Sequence, residues 1–346
     1  MTRLERLGAT LADPLLVTGG VNVRYLTGLS SSNAALLVEP GGATTLYTDF
    51  RYLEKAAAVE GVELVQTARD VIGALAAVLS GRRVGFEPAH VTYAGYERLA
   101  AGGIDLFPTN GPVEALRRVK EPSELAAIRR AAALSDEVYA ALARERFTGR
   151  SERDLAWWIE QAFHAAGADA LAFGSIVASG PNGASPHAEP SDRLIEAGTL
   201  VTVDAGCVVD GYCSDCTRTF ATGELPAALA EAYALCLEGQ LAGFAAVSPG
   251  ASGRDVDATS RVAIDAAGLG ERYGHGLGHG VGLEVHEAPT LRPESLDVLE
   301  AGNVVTVEPG IYLPGVGGVR IEDLVLVTED GAESLTHSTK ELITVL

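Results

Sequence analysis

Basic residues are scarce in this sequence. Lys and Arg total 26 against 46 Asp and Glu, leaving a net charge of −20 at pH 7. Phosphate backbones and anionic lipid surfaces are bound by clustered Lys and Arg, so nucleic acid and membrane are poor partners. The same balance suits cationic ligands, either metal ions or a substrate with a free amino group. Cysteine is rare too. Cys207, Cys213, Cys216 and Cys236 are the whole complement, too few and too clustered for a disulfide scaffold. No apolar run reaches membrane-spanning length. The opening "MTRLERLGATLADP" is charged and lacks the apolar centre of a signal peptide. These absences make a cytoplasmic protein the expectation.

What is present is apolar bulk in two styles. The 346 residues are 47% hydrophobic, enough for sizeable cores, and the length favours two domains. In residues 1–112, "PLLVTGG", "AALLVEP", "ATTLYTD", "VELVQT" and "RRVGFEP" read as strands. "FRYLEKAAAV", "VIGALAAVLS" and "TYAGYERLAA" read as helices between them. That alternation predicts a small α/β domain with a mixed sheet. From residue 113 the style changes. A long helix starts at the Pro-Ser after Glu121, a second covers about 151–166, and others lie near 226–246 and 252–267. Strand pairs are interleaved with them, and "NVVTVEPGIYLPGVGGVRIEDLVLVTEDG" reads as two strands around a Gly-rich connection. Residues 113–346 are therefore expected to be an α+β domain, with helices on a curved antiparallel sheet.

Within that domain "VTVDAGCVVDGYCSDCTRTF" carries Asp204 and Asp215, eleven positions apart, in strand-forming surroundings. Asp210-Gly211 signals a two-residue turn. Val209 then pairs with Tyr212, Gly206 with Asp215 and Asp204 with Thr217. Asp204 and Asp215 become diagonal neighbours on one face, with backbones roughly 7–8 Å apart. From this hairpin alone two readings stand level: a solvated face, or a cation between the carboxylates.

Three further stretches place polar residues where a plain core has no use for them. "YGHGLGHGVGLEVHEAP" holds His275, His279 and His286, three of the seven histidines. It lacks the preceding strand and the glycine spacing of a dinucleotide loop. "VVTVEPG" ends an apolar strand on Glu308, and "GGVRIEDLVLV" sets Glu322 and Asp323 on opposite faces of another, so that one of them points inward. One or two divalent cations would satisfy these acids, and carboxylates with a single imidazole suit Mn²⁺, Co²⁺, Fe²⁺ or Zn²⁺. In "CSDC", Cys213 and Cys216 stand three apart on a strand, so their thiols diverge and read as small buried residues.

Together "VDAGCVVDGYCSDCTRTF", "GHGLGHGVGLEVHE", "VEPGIY" and "RIED" resemble the pita-bread metallopeptidases, the family of aminopeptidase P, prolidase and methionine aminopeptidase. The likeness spans about 113–346. Residues 1–112, with "VRYLTG" and "YTDFRY", resemble the N-terminal domain of aminopeptidase P and prolidase. The resemblance implies two divalent metal ions per subunit, Mn or Co before Zn or Fe, held by Asp204, Asp215, His279, Glu308 and Glu322. It implies that His187, in "ASGPNGASPHAEP", and His286 are catalytic histidines, and that Glu308 also takes the proton of the attacking water. His275 is expected in the same pocket, with Arg320 beside the metals and Tyr212 as a candidate pocket wall. The implied substrates are small peptides with proline second, and the implied assembly is a homodimer.

The branch is open between an Xaa-Pro aminopeptidase, the leading expectation, and a dipeptidase. A dipeptidase needs a cation for the free proline carboxylate. Arg292 is the candidate, although "EAPTLRPES" reads as an exposed loop. A metal-free enzyme like creatinase, or a non-catalytic binding module on the same fold, is disfavoured because all five ligand positions hold ligand-competent side chains.

Overall fold

The computed structural model describes residues 1–345. The chain forms two compact units, Met1–Arg117 and Arg118–Leu346.

The first unit is built on one six-stranded sheet. Its strands are β1 (Leu15–Val17), β2 (Ala34–Val38), β3 (Thr44–Asp49), β4 (Glu63–Thr67), β5 (Arg83–Phe86) and β6 (Asp105–Pro108), in the order β4-β3-β2-β1-β5-β6. β1 and β3 pair antiparallel with β2, whereas β3–β4, β1–β5 and β5–β6 are parallel, so the sheet is mixed as expected. The helices are α1 (Arg3–Thr10), α2 (Gly20–Thr27), α3 (Leu53–Ala56), α4 (Val71–Val78), α5 (Tyr93–Ala101) and α6 (Pro112–Arg118). The helix expected over 50–59 shrinks to the single turn of α3. Asp49 instead holds the backbone N–H and the guanidinium of Arg51 in a turn just before it. α2 and β6 are absent from the sequence reading. The unit also ends later than residue 112, because α6 is tied to it: Arg117 Nη1 donates to Asn22 Oδ1, and the Tyr25 hydroxyl donates to the Leu116 carbonyl.

The second unit is α+β with antiparallel pairing throughout its named strands. Its helices are α7 (Pro122–Leu142), α8 (Glu152–Ala166), α9 (Ala227–Ala246) and α10 (Gly253–Ala266). α7 starts where the sequence predicts, capped by Glu121 and Glu124 with Pro122 in its first turn. Its strands are β7 (Ala170–Leu171), β8 (Ile176–Ser179), β9 (Leu200–Asp204), β10 (Cys207–Val209), β11 (Tyr212–Cys213), β12 (Thr217–Ala221), β13 (Gly278–Gly280), β14 (Glu287–Leu291), β15 (Val304–Val307), β16 (Gly310–Leu313), β17 (Gly317–Arg320), β18 (Asp323–Thr328) and β19 (Gly331–Ser334). α7 and α8 bury Val138, Leu142, Leu155, Ile159 and Phe163 against Val177, Val201 and Val203 of β8 and β9. α10 packs Val256 on Leu291, Val305, Val307 and Val325 of β14, β15 and β18.

Each long strand breaks where it carries an acid. The Asp210-Gly211 hairpin has the expected register, with Val209 opposite Tyr212 and Thr217 opposite Asp204. Its two residues take positive φ, 50° and 83°. Between those pairs the ladder passes from one sheet to another, β10–β11 on one side and β9–β12 on the other. Gly206 sits at this crossing, where a Cβ would lie 1.9 Å from the Ser214 carbonyl oxygen, so no larger residue fits. The expected Gly206–Asp215 pair is replaced by this crossing. Likewise the two strands expected over 303–331 are four. β15 pairs with β18 and β16 with β17, and the switches fall at Glu308-Pro309 and Ile321-Glu322. The breaks free these acids from ladder geometry and turn them toward one point.

Candidate metal centre

Asp204 closes β9, and Asp215 lies in the gap between β11 and β12. Glu308 and Glu322 occupy the two later breaks, and His279 sits mid-strand in β13. β13 fits only because its glycines allow close approach: a Cβ on Gly278 would meet the Thr306 oxygen at 2.0 Å. Ligand atoms of Asp204, Asp215 and Glu322 all lie within 4.8 Å of one another. His279 Nε2 is 3.2 Å from Glu308 Oε1 and 3.7 Å from Asp215 Oδ2. The five candidate ligands are thus brought to one place.

The way these groups are satisfied bears on what they hold. Arg320 Nη2 donates to Asp204 Oδ2 at 2.7 Å, and Thr217 Oγ1 donates to Glu322 Oε2 at 2.7 Å. Thr306 Oγ1 donates to Glu308 Oε1 at 2.9 Å. Asp204 Oδ1, Asp215 Oδ1 and Glu322 Oε1 remain buried with no hydrogen-bond partner among the described residues. Orphaned carboxylate oxygens at such depth are costly and uncommon, and three of them on residues whose ligand atoms lie within 4.8 Å of one another match the donor set of a divalent cation. The group therefore fits metal, and a carboxylate-rich set with one imidazole fits Mn²⁺, Co²⁺, Fe²⁺ or Zn²⁺.

Electrostatics points the same way. Burial pushes the Asp215 carboxyl well above the usual range, reinforced by the charges of Glu322, Asp204 and Glu308. Burial does the same to Glu322, aided by Glu308 and Asp204. Burial also raises Asp204, against the opposing charge of Arg320. Burial works against ionisation of Glu308 as well, but there the His279 hydrogen bond and charge win and hold it down to about 2. A bound cation would reverse the penalties on Asp204, Asp215 and Glu322.

The histidines divide into roles. His279 Nδ1 faces the Gly280 carbonyl at 3.2 Å. A carbonyl only accepts, so that nitrogen carries the proton; Nε2 faces the Glu308 and Asp215 oxygens, donating to them when the ring is protonated and offering its lone pair to a cation in their place. His275 Nδ1 faces the Gly276 carbonyl at 2.7 Å, which leaves Nε2 to accept from the Tyr312 hydroxyl at 2.9 Å. That hydroxyl in turn accepts from Arg320 Nη1 at 3.0 Å. His275 is therefore a fixed wall. The His286 ring lies 4.1 Å from that of His279, and desolvation with the His279 charge lowers its pKa. His187 follows Pro186, whose carbonyl Arg320 Nη1 holds at 3.0 Å.

Two chambers meet at this point. One, of about 440 Å³, is lined by Asp204, Asp215, Arg320, Phe173, Ile176 and Glu189. The other, of about 410 Å³, is lined by His275, Thr290 and Arg292. His187, His279, His286 and Glu308 line both, so they stand at the junction of one cleft. The exposed loop carrying Arg292 does reach the cleft. Tyr212 does not line it: its hydroxyl donates to Glu124 Oε1 at 2.9 Å, which turns the ring toward α7. Both Glu322 and Asp323 point inward, on opposite faces. Asp323 pairs with Arg218 at 2.8 Å. Cys213 and Cys216 enter different cores, and burial pushes the Cys213 thiol up to about 12, so neither is poised as a thiolate.

Thr306 and Tyr312 are missing from the sequence reading, and Thr217 enters it only as the strand partner of Asp204. Thr217 and Thr306 stand two positions from Asp215 and Glu308, so same-face alternation was an available signal. Nothing local marks Tyr312.

Comparison with known proteins agrees with this centre. The model of metallopeptidase family M24 matches residues 126–329, and that of the Creatinase/Prolidase N-terminal domain matches residues 3–119. An Xaa-Pro dipeptidase of Pyrococcus horikoshii is 34% identical, over 98% of this chain and 97% of its own. The structure of an Xaa-Pro dipeptidase from Bacillus anthracis is 40% identical, with a TM-score of 0.94 and 99% of each chain covered. An X-Pro aminopeptidase from Thermotoga maritima is 30% identical, with a TM-score of 0.87, 96% of this chain and 97% of that chain covered. Over its C-terminal unit, with its converging acids and single imidazole, this chain belongs to metallopeptidase family M24.

Proposed function

We propose that the protein is a metal-dependent Xaa-Pro dipeptidase. The observation that carries the choice of branch is Arg292. Its side chain lines the cleft beside His275, while the other arginine there, Arg320, is committed to Asp204. A cation in that chamber offsets the cost of desolvating a free proline carboxylate, which a tripeptide does not present. Relatives named as Xaa-Pro dipeptidases, similar over nearly the whole chain, support the same branch. The aminopeptidase expectation leaned on Arg292 lying in an exposed loop, and its place among the residues lining the cleft favours the dipeptidase reading instead.

Asp204, Asp215, His279, Glu308 and Glu322 would hold two divalent ions. Such ions, when bound, supply an acidified water and a Lewis acid for the scissile carbonyl. The remaining work belongs to the chain. Glu308, at the junction of the two chambers, accepts the proton of the attacking water. His187 and His286 face the same junction and donate to the developing oxyanion. Arg320 favours the ionised form of Asp204 against burial and fixes its Oδ2. Proline has no N–H and a fixed φ, so its peptide bond needs a dedicated chamber, here the one between His275 and Arg292.

The test is kcat/KM for Ala-Pro against Ala-Pro-Ala, measured after chelation and after adding back Mn²⁺. The expected result is metal-dependent cleavage with the dipeptide preferred. Cleavage of the tripeptide at least as well as the dipeptide would return the protein to the aminopeptidase branch.

A further inference from the structure

Arg218 lies on β12 beside Thr217 but faces away from the metal centre. It is only 4% exposed. Its Nη1 donates to the Thr217 carbonyl at 2.9 Å and to the Glu322 carbonyl. Its Nη2 donates to Asp323 Oδ1 at 2.8 Å and to the Ser338 carbonyl at 2.6 Å. Nε reaches the Ser338 and Thr339 carbonyls at 3.1 and 3.0 Å. Asp323 Oδ2 is held in turn by Gln240 Nε2 at 3.0 Å and by the Lys340 ammonium.

Glu322 needs such a clamp. The β16–β17 ladder ends at Arg320 and the β15–β18 ladder begins at Asp323, so Glu322 falls in the gap between them. Its N–H finds the Thr217 carbonyl at 3.1 Å, but its own carbonyl has no strand partner. Arg218 supplies that partner and also grips the next side chain, Asp323. With Thr217 holding Oε2, the residue is fixed at its N–H, its carbonyl and one carboxylate oxygen, and Oε1 has no partner among the described residues.

We propose that Arg218 is a positioning residue for metal binding: it sets the backbone of Glu322 so that Oε1 aims at the point shared with Asp204 and Asp215. The proposal rests on the metallopeptidase reading above. Arginine is required because one planar guanidinium serves four carbonyls and a carboxylate, which the point charge of lysine does not reproduce.

A purely structural role would be to staple the C-terminal segment around Ser338, and Asp136 separates the two roles. Its carboxylate accepts from the backbone N–H groups of His337 and Ser338 at 2.8 and 2.7 Å, with no contact to Glu322. Arg218→Lys, Arg218→Met and Asp136→Asn are compared with the wild type by calorimetric titration of Mn²⁺, by the visible spectrum of the Co²⁺-loaded protein and by Tm. Both Arg218 variants are expected to bind Mn²⁺ roughly 10–100-fold more weakly, as when a group orienting a ligand is lost. Arg218→Lys should lie between Arg218→Met and the wild type, and the Co²⁺ bands should shift. Asp136→Asn should lower Tm and leave affinity and spectrum unchanged. Wild-type affinity and spectrum in Arg218→Lys overturn the proposal even if Arg218→Met fails to fold. An equal affinity loss in Asp136→Asn overturns it too. A wild type that binds no Mn²⁺ removes the metallopeptidase reading itself, and this inference with it.

Discussion

Arg320 holds one oxygen of Asp204, Oδ2, at 2.7 Å and leaves the other, Oδ1, buried without a partner among the described residues. Thr217 treats Glu322 in the same way, occupying Oε2 and leaving Oε1. Each acid is thus half committed to the protein and half open toward a common point. A structural ion-pair network would use both oxygens, because buried carboxylates are stable only when fully paired. The pattern fits a centre whose last partner is a cation.

Asp215 has no such protein donor, so it depends most on that cation. Asp215→Asn removes one ligand charge with little change in volume. It should abolish peptidase activity and lower bound Mn²⁺ while leaving the circular dichroism of the fold unchanged. Asp210→Asn is the matched control. Asp210 sits at the turn with φ 50°, a conformation Asn accepts readily, and its pair with Arg130 is solvent-exposed. Substantial activity in Asp215→Asn with Mn²⁺ present would remove Asp215 from the ligand set.

The histidines separate by metal content. His279→Ala should lose metal and rate together, since its Nε2 faces Glu308 and Asp215. His286→Ala and His187→Ala should keep their metal and lose roughly 10²–10⁴ in kcat, the usual range for a lost proton-transfer group or oxyanion donor. Normal metal in His279→Ala, by elemental analysis, reverses the assignment.

The first hairpin is legible in the sequence because it obeys local rules. Asp-Gly fixes the turn and with it the Val209–Tyr212 and Asp204–Thr217 pairs, whereas the expected Gly206–Asp215 pair gives way to the sheet crossing that lets Asp215 turn toward Asp204. Glu308 and Glu322 are legible only as misfits. The rule that flags them assumes continuous strands, whereas both strands break at those residues and change sheets. That is why one of Glu322 and Asp323 was expected inside and both are there. Tyr212 is misread for a related reason: the hairpin gives its position, but its orientation is set by Glu124 on α7, far away in sequence. The Arg218–Asp323 pair and Tyr312 depend wholly on such long-range packing.

Stability of the metal-free protein should fall as pH rises. Asp215 and Glu322 have folded-state pKa values raised by burial, so the folded state binds their protons more tightly than the unfolded state. Their contribution is complete below about pH 4, the ordinary carboxylate value, and is lost as pH climbs through the raised values. Cations bind the ionised carboxylates, so the loaded protein escapes this loss. The gap in Tm between Mn²⁺-loaded and chelated protein should therefore widen from pH 5 to pH 8. A constant gap contradicts it.

Lys120 and Glu287 form an ion pair at 2.6 Å with side chains only 1% and 7% exposed, next to His286 in sequence. Lys120→Met strands the Glu287 charge and should cost about 3–5 kcal/mol. Lys120→Met with Glu287→Gln should recover much of it, because no charge is then left buried. Denaturant midpoints, with the slopes checked for constancy, measure both. A double variant no better than Lys120→Met would show that the loss is one of packing.

The proposed dipeptidase reading is tested at Arg292. In Arg292→Ala, hydrolysis of Ala-Pro should fall by up to about 1 kcal/mol in transition-state stabilisation, the range for an ion pair at an exposed arginine. Ala-Pro-Ala, whose proline carries an amide and no charge, should hardly change. The loss should appear mainly in KM if Arg292 only anchors the carboxylate, because an interaction equal in ground and transition states leaves kcat alone. A loss in kcat as well would mean that the anchored carboxylate also sets the pose of the scissile bond against His187 and His286. Equal losses on the two peptides would mean that Arg292 shapes the chamber without reading the carboxylate, and the dipeptidase assignment would then lose its support.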